Sequence, residues 1–311
     1  MNEFEIVSTN ISEKKGTVKQ PVKTVRVSEK GIDGDAHSGE WNRQISLLAI
    51  ESIEKFEKQT GRHINYGEFA ENLTTKGISL IDTNPLDLLK IDDVILEITQ
   101  LGKKCHASQC NIYKQAGKCI MPEEGIFARV IQSGWINAGM KGEWQPKIFN
   151  IKVITLSDRA SKGIYEDISG PTVTKKIQDF FSSIKRKVNI ENIIITDDEV
   201  QLLYLLDESV KADTDYIFTT GGTGIGARDI TVDIVKKMCD KEIPGIMDFI
   251  RYKYGEKNPS ALVSRSIAAV KKRTAIFTLP GNVKAVDEYL TEIQKNLLHI
   301  TYMLKGLDIH S

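Results

Sequence analysis

The feature that most limits what this chain can fold into is a change of pattern near residue 150. Before it, short β-type runs follow one another at residues 4–7, 22–27, 45–48, 94–99 and 126–131. Turn pairs separate them, among them Lys30-Gly31, Asp33-Gly34, Lys76-Gly77 and Lys141-Gly142. Strands at that spacing predict a mostly antiparallel β domain of barrel type. One amphipathic helix is expected from about Ala49 to Gln59, with Ile50, Ile53 and Phe56 on one face and Gly61 as its stop. After residue 150, apolar β-branched runs alternate with helical ones. Strands are expected at 151–156, 193–195, 216–219 and 275–279, with a hairpin around Lys271-Lys272. Helices are expected after Gly170-Pro171, over 199–210 and over 283–298. That alternation predicts a three-layer α/β/α domain on a largely parallel sheet. The fold class is therefore multidomain, with units expected at 1–146 and 150–311. The boundary falls in 143–150, where Trp144-Gln145-Pro146-Lys147 reads as a break.

At 311 residues the chain is long enough for two cores that need no disulfides. Its 42 basic and 42 acidic side chains cancel. No global field draws it to nucleic acid or to an anionic membrane, so a bound anion must be held by a local site. No apolar run approaches the ~20 residues of a membrane span. The start, Met1-Asn2-Glu3-Phe4-Glu5, lacks the apolar stretch of a signal peptide. A cytoplasmic location is expected, and the four cysteines then read as thiols.

The densest chemical signal is Thr219-Thr220-Gly221-Gly222-Thr223-Gly224-Ile225-Gly226-Ala227-Arg228-Asp229, between a predicted strand and a helix. Glycines there let the backbone approach a ligand closely, and successive N–H groups beside a helix start form an anion cradle. The pattern is neither a P-loop nor a dinucleotide fingerprint. Three other segments end strands of the same sheet: Ser157-Asp158-Arg159-Ala160-Ser161, Thr196-Asp197-Asp198-Glu199 and Leu279-Pro280-Gly281-Asn282. In open α/β sheets such segments converge on one crevice. Asp198 and Asp229 are candidates for a Mg²⁺ ion, whose preference is for carboxylate oxygen. Arg159 and the hydroxyls of Ser157 and Thr223 are candidates for phosphate oxygens. Taken singly, Asp198-Glu199 also reads as an acidic helix start, and Asp158-Arg159 as a surface ion pair.

In order and spacing these segments, together with Pro244-Gly245 and Ser264-Arg265, resemble the MogA-type molybdopterin adenylyltransferases over about 160 residues. The departure is Val283, where that family usually carries proline. The resemblance implies a homo-oligomer, often a trimer, that joins molybdopterin to AMP from ATP with release of pyrophosphate. It implies Asp198 and Asp229 for Mg²⁺ and catalysis. For molybdopterin or phosphate it implies Ser157, Arg159, Thr220, Gly221, Gly222, Thr223, Gly224, Ser264, Pro280 and Gly281. No segment resembles a molybdenum-insertion domain, so a separate protein is expected to insert the metal.

In the first half, Gly31-Ile32-Asp33-Gly34-Asp35-Ala36-His37, Phe69-Ala70-Glu71-Asn72-Leu73-Thr74, Cys105-His106 and Gly125-Ile126-Phe127-Ala128-Arg129 resemble a MOSC domain. That resemblance implies cofactor binding or sulfur transfer, with Cys105 as the matching cysteine. From the residues alone, Cys105, Cys110 and Cys119 read three ways: a reactive thiol beside Lys103, Lys104 and His106, a metal site, or buried cysteines.

Two functions of different kind follow: an adenylyltransferase with a fused MOSC module, or a non-catalytic carrier of molybdopterin, its cofactor or sulfur. Retention of Asp198 and Asp229 favours the enzyme. A sulfur-handling cysteine must be ionisable near neutral pH, and Cys105 has the cationic neighbours that achieve this. Brief iodoacetamide treatment followed by mass-spectrometric mapping is expected to label Cys105 first and Cys239, in the α/β half, more slowly. Label on Cys110 or Cys119 with Cys105 intact transfers the reactive role to those thiols.

Overall fold

The computed structural model describes residues 2–103 and 119–307, and divides the chain into two compact units, Met1–Lys147 and Ile148–Ser311. Cys105, His106 and Cys110 lie outside the described residues, and so does Lys104.

The first unit is a closed barrel. Its wall runs through β11 (Lys141–Gln145), β7 (Leu88–Ile91), β8 (Val94–Leu101), β9 (Ile126–Gln132), β5 (Ile45–Ala49), β6 (Leu73–Lys76) and β1 (Glu3–Ile11), and β1 pairs with β11 to close the ring. β2 (Gln20–Val22) continues along the far end of β1. A small sheet of β3 (Thr24–Ser28), β4 (Gly31–Ile32) and β10 (Gly134–Asn137) accompanies it. β5 and β6 are parallel, which demands a crossover, and α1 (Ile50–Thr60) supplies it. Ile53 and Phe56 of α1 are buried, and Gly61 ends it in the left-handed region at φ 68°. A short helix, α2 (Met121–Glu124), precedes β9. The core joins Ile6, Leu47, Leu73, Leu89, Leu96 and Ala128 from the inward faces of the strands.

Here the sequence reading needs correction. Trp144 and Gln145 do not break regular structure. They lie in β11, which pairs with β7 on one side and β1 on the other. Strand pairing across the whole unit overrides weak local propensity.

The second unit is a six-stranded sheet in the order β13 (Lys187–Ile195), β12 (Ile148–Leu156), β14 (Tyr216–Thr220), β17 (Thr274–Leu279), β16 (Ala268–Lys271), β15 (Lys241–Glu242). The first four strands are parallel, and the β16–β17 hairpin and β15 add antiparallel pairs. The chain order therefore reverses at β12, which lies between β13 and β14. Helices cover both faces. α5 (Glu199–Lys211) and α6 (Thr231–Met238) bury Leu202, Leu206, Ile234 and Val235 against Ile154, Ile217 and Ile276. On the other face α4 (Ser169–Ser183) sets Phe181 against Phe149, with ring centroids 4.8 Å apart, and packs beside α8 (Val283–Ile293). A one-turn helix, α3 (Asp158–Ser161), follows β12, and α7 (Pro244–Gly255) follows β15.

The expected single helix over 283–298 is in fact two. α8 stops at Ile293, a 3₁₀ turn spans Gln294–Asn296, and α9 (Leu297–Leu304) follows. The Tyr216 hydroxyl bonds to Leu297 O at 2.9 Å and to Thr301, tying α9 to β14. Cys239, expected in the α/β core, is half-buried at the end of α6 instead. Burial and Glu242 push its thiol pKa up, so slow alkylation is still its expected behaviour.

Phe218 has no exposed surface and stacks on Phe277 at 5.3 Å. Phe218→Ala is expected to destabilise the second unit by about 3–5 kcal/mol, from lost transfer energy plus the cavity. Denaturant unfolding followed by tryptophan-independent far-UV dichroism measures this, and a loss below about 1 kcal/mol would show that the stack collapses freely around the gap.

Candidate functional site

A sheet whose chain order reverses leaves a crevice at the carboxyl ends of the strands flanking the reversal. Here those strands are β12, β13 and β14, and the predicted chemical segments follow them. Ser157 caps α3, its Oγ accepting the Ala160 N–H at 3.1 Å. Arg159 is exposed. Asp158 ties three loops together: one carboxylate oxygen accepts the Asp197 N–H at 3.2 Å, and the other pairs with Arg228 Nη1 at 3.2 Å. The alternative of a local Asp158-Arg159 pair is thus replaced by a partner 70 positions away.

The loop after β14 is built on backbone contact. Gly221 sits at φ 98° and Gly222 at φ 63°. A Cβ on Gly221 would lie 2.4 Å from Leu156 O, and one on Gly222 would lie 2.4 Å from Thr231 Oγ1. Neither position tolerates a side chain. Thr231 holds the loop from the start of α6, its hydroxyl donating to Gly221 O at 2.9 Å and its N–H to Gly222 O at 3.1 Å. The Thr220 hydroxyl donates to Pro280 O, and Gly221 N to Leu279 O, so the loop is also stitched to the end of β17. Thr223 is buried and its carbonyl accepts the Arg265 N–H at 3.0 Å.

Asp229 anchors the far side. Its Oδ2 accepts the Gly226 N–H at 2.7 Å, and a Cβ on Gly224 would press against it. Asp198 is exposed and caps α5, accepting the Gln201 N–H at 2.7 Å. Asp197, absent from the sequence-derived candidates, lies closer to the other charges. Burial, then the charges of Asp158 and Asp229, push its carboxyl pKa up against the pull of Arg228. Only the Asp-Asp pair hinted at it, and the adjoining Asp198-Glu199 pattern drew the assignment away.

Beside the loop opens a cavity of about 570 Å³ lined by Thr223, Gly224, Ser264 and Pro280 among the predicted residues. Asn282, from the segment that ends β17, also lines it, as do Asn258, Glu288 and Tyr289, which were not anticipated. Ser157, Arg159, Asp198, Gly221 and Gly222 do not. Gly281 packs on Gly221, the Cβ it lacks falling 3.5 Å from the Gly221 Cα. The predicted residues thus divide between this cavity and the strand-end loops beside it.

Residues 152–299 match the family model described as a probable molybdopterin binding domain, and residues 34–141 match the MOSC domain. Over 159 residues the chain is 35% identical to the molybdopterin adenylyltransferase of Pyrococcus furiosus, a match covering 50% of this chain and 90% of the relative. It is 34% identical to the Helicobacter pylori molybdopterin adenylyltransferase, covering 46% of this chain and 81% of that protein. The chain belongs to the molybdopterin adenylyltransferase family. That family is one of enzymes, and the likeness lies in the second unit, with a MOSC domain ahead of it. A solved structure titled as the tungsten cofactor synthesizing protein MoaB of Pyrococcus furiosus is 35% identical, with a TM-score of 0.44, covering 52% of this chain and 98% of that one.

The MOSC unit holds its own polar cluster. Lys19 and Asp35 form an ion pair with 1% exposure on each side chain. His37 Nδ1 stands 3.3 Å from Lys19 Nζ and 3.5 Å from Asp35 Oδ1. Burial alone would raise Asp35, but hydrogen bonds from His37 and Lys19 and the Lys19 charge hold its carboxyl well below the usual range. His37 also lines a cavity of about 210 Å³ with Trp41, Arg43, Ser46, Asn72 and Lys103. Arg43 and Lys15 stand over the Trp41 ring at 5.2 and 5.7 Å, and Lys103 over Phe127 at 5.9 Å. Among the described residues no group of three His, Cys, Asp or Glu side chains is arranged to hold a metal ion. Cys119 is half-buried against the cluster of Leu48, Phe56 and Phe69.

Glu71 has no exposed surface, and its Oε2 has no hydrogen-bond partner among the described residues. Burial pushes its pKa up to about 7, against hydrogen bonds from the Gly67 N–H and the Thr74 hydroxyl to Oε1. The folded unit therefore binds a proton that the unfolded chain releases near its ordinary value of 4.5. Between those values stability falls as pH rises. The Asp35 contribution acts elsewhere: it is present above about 3.8 and is lost as pH falls below it. Urea unfolding of the chain from pH 5 to 8 is expected to show the barrel weakening with pH, and Glu71→Gln is expected to flatten that slope. An unchanged slope in the variant would remove Glu71 as its source.

Proposed function

We propose that the second unit transfers AMP from ATP to molybdopterin and releases pyrophosphate. The observation that carries this reading is the convergence of the loops after β12, β13, β14 and β17 on one crevice, with a backbone cradle beside a cavity of about 570 Å³. Among the described residues, the N–H groups of Gly222, Thr223, Gly224 and Ile225 donate to no protein acceptor, which suits them to phosphate oxygens. In the reaction a terminal phosphate oxygen of molybdopterin attacks the α-phosphorus of ATP. The bond from that phosphorus to the oxygen bridging the β-phosphorus breaks, and its electrons leave with pyrophosphate. Such a transfer asks the protein for alignment and charge neutralisation rather than covalent chemistry.

The acids fit Mg²⁺. This ion takes one or two carboxylates plus substrate phosphates and keeps several waters, so no closed protein cage is required. Asp197, raised first by burial and then by Asp158 and Asp229, marks an edge where added positive charge is favourable. Asp198 and Asp229 are proposed to hold the ion, with Asp197 beside them. When bound, Mg²⁺ would offset negative charge developing on the leaving phosphates. Arg159 and Arg228, both exposed at the crevice rim, supply further positive charge. Asp229 also fixes the glycine loop through Gly226.

For the MOSC unit, the cationic, aromatic-walled cavity around His37, Trp41, Arg43 and Lys103 supports binding of an anionic cofactor, with Cys105 as the candidate sulfur carrier. No helix among the described residues is long and apolar enough to cross a membrane. A cytoplasmic, homo-oligomeric protein of trimeric form, working with a separate metal-insertion protein, is the setting proposed on the same resemblance.

The test is incubation with molybdopterin, Mg²⁺ and ATP labelled at the α-phosphate. Label is expected on molybdopterin, with pyrophosphate released. Binding without release would make the chain a carrier. Asp229→Asn keeps an oxygen for the Gly226 N–H and removes the charge. It is expected to lower kcat on the order of 10²-fold, with molybdopterin affinity nearly unchanged. Parallel losses in both would reassign Asp229 to loop support.

A further inference from the structure

The glycine loop is held by its carbonyls, and this decides where its N–H groups face. A peptide unit is planar, and the described residues contain only trans units. A carbonyl pinned on one side therefore aims the N–H of the next residue the opposite way. Three successive units of the loop are pinned. Gly221 O accepts the Thr231 hydroxyl at 2.9 Å, Gly222 O accepts the Thr231 N–H at 3.1 Å, and Thr223 O accepts the Arg265 N–H at 3.0 Å. The N–H groups so directed belong to Gly222, Thr223 and Gly224, and none of the three donates to an acceptor among the described residues. Further along, the Gly226 N–H is already taken by Asp229. Gly222 and Gly224 are only half-buried. Backbone N–H groups are seldom left without any partner, so these are left to water or a ligand. Three neighbouring donors of fixed direction are complemented by an oxyanion with several acceptor oxygens.

Thr231 supplies two of the three pins. It has no exposed surface, and it sits in the first turn of α6, which holds its backbone rigid. Its hydroxyl is turned back onto the loop, where a Cβ on Gly222 would meet it. We propose that Thr231 is a positioning residue, orienting the Gly222 and Thr223 N–H groups so that they and the Gly224 N–H bind the oxygens of a substrate phosphate. The inference rests on the reading of this loop as a phosphate cradle, and it requires binding rather than transfer. Dipoles fixed before the ligand arrives cost no reorganisation when charge is placed against them. The transfer reading supplies two sources of that phosphate, the terminal phosphate of molybdopterin and the phosphate chain of ATP. Without the hydroxyl, the Gly221–Gly222 unit is free to turn and the first of the three donors loses its direction.

The test uses the full chain with Thr231→Val, which keeps the shape and removes the hydroxyl, and Thr231→Ser, which keeps the hydroxyl. Affinities are measured for molybdopterin, for a non-hydrolysable ATP analogue, and for the phosphate-free counterparts, dephosphorylated molybdopterin and adenosine. The Tm of each unliganded variant is measured beside them. The proposal expects Thr231→Val to bind at least one phosphate-bearing ligand about 10-fold more weakly, with its phosphate-free counterpart unchanged. It expects Thr231→Ser to restore that affinity whatever its Tm. The ligand affected names the source of the phosphate. Unchanged affinities in Thr231→Val, equal losses with and without phosphate, or affinities that follow Tm rather than the hydroxyl each reduce Thr231 to a structural contact and overturn the proposal. Thr231→Ala takes the place of Thr231→Val if the valine variant does not fold. In the wild type carrying isotopically labelled glycine, inorganic pyrophosphate is expected to move the Gly222 and Gly224 amide resonances, and resonances that stay in place overturn the proposal without any variant. The transfer reading fails separately. Hydroxyl-dependent phosphate affinity without AMP transfer by the wild type keeps Thr231 and removes the enzyme, whereas transfer with unchanged affinities in Thr231→Val does the reverse.

Discussion

The second unit depends on how closely three strand ends approach one another. β14 lies between β12 and β17, and all three point the same way, so their carboxyl ends finish side by side. The loop leaving β14 must then pass over the last carbonyl of β12 and under the turn after β17. Gly221 does this with no room for a Cβ on the Leu156 side, and Gly281 packs onto it from the other. A side chain at Gly221 would drive the loop off the end of β12 and remove the surface on which a phosphate could rest. Thr231 and Thr220 then fix the loop with hydrogen bonds to its own carbonyl and to Pro280. The glycines are a packing requirement before they are a binding feature, and the cradle follows from the packing.

Charge is arranged on that frame in opposition. Asp158, Asp197 and Asp229 come from three different loops, and Arg228 is the cation among them. Asp158 is committed on both oxygens, to Arg228 and to the Asp197 backbone. It therefore works as a brace between loops. No hydrogen-bond partner for the Asp197 carboxylate is found among the described residues, and burial, then the charges of Asp158 and Asp229, raise its pKa. Asp229 combines the two roles, since it holds Gly226 with one oxygen and faces the crevice charges as well.

What could be read from the sequence was what is local. The glycine run, the alternation of strand and helix, the hairpin at Lys271-Lys272 and the gathering of four segments at one sheet edge all follow from neighbours in the chain and from the rule for parallel sheets. Distant pairing was not legible. Arg228 reaches Asp158 across 70 positions, and nothing near either residue announces it. β11 was mistaken for a break because Trp144-Gln145-Pro146 has weak strand propensity, while its stability comes from β1 and β7. Asp198 was chosen over Asp197 as a carboxylate at a strand end and through the Asp198-Glu199 resemblance, and the same pair also reads as a helix start. The geometry shows the cause of that pattern: Asp198 is the helix cap. Asn258 and Tyr289 border the cavity from separate elements and carry no motif at all.

The two units hold charge by different physics. In the second, the candidate anion contacts are backbone N–H groups whose direction is set by packed glycines. They cannot relax away and need no counter-charge in the unliganded state. In the first, the cavity wall carries full cations, Arg43 and Lys103 against aromatic rings, with the Lys19–Asp35 pair buried behind His37. Such cations must be kept apart without a ligand, and the rings do this by offering each a π face. The buried pair is self-neutralising, and a second buried acid near it is Glu71, which burial keeps partly protonated near neutrality. An ionised Glu71 sets a negative charge that favours the charged form of Lys19. The charge beside Lys19 is thus tied to proton concentration, while the direction of the glycine loop's N–H groups is tied to geometry.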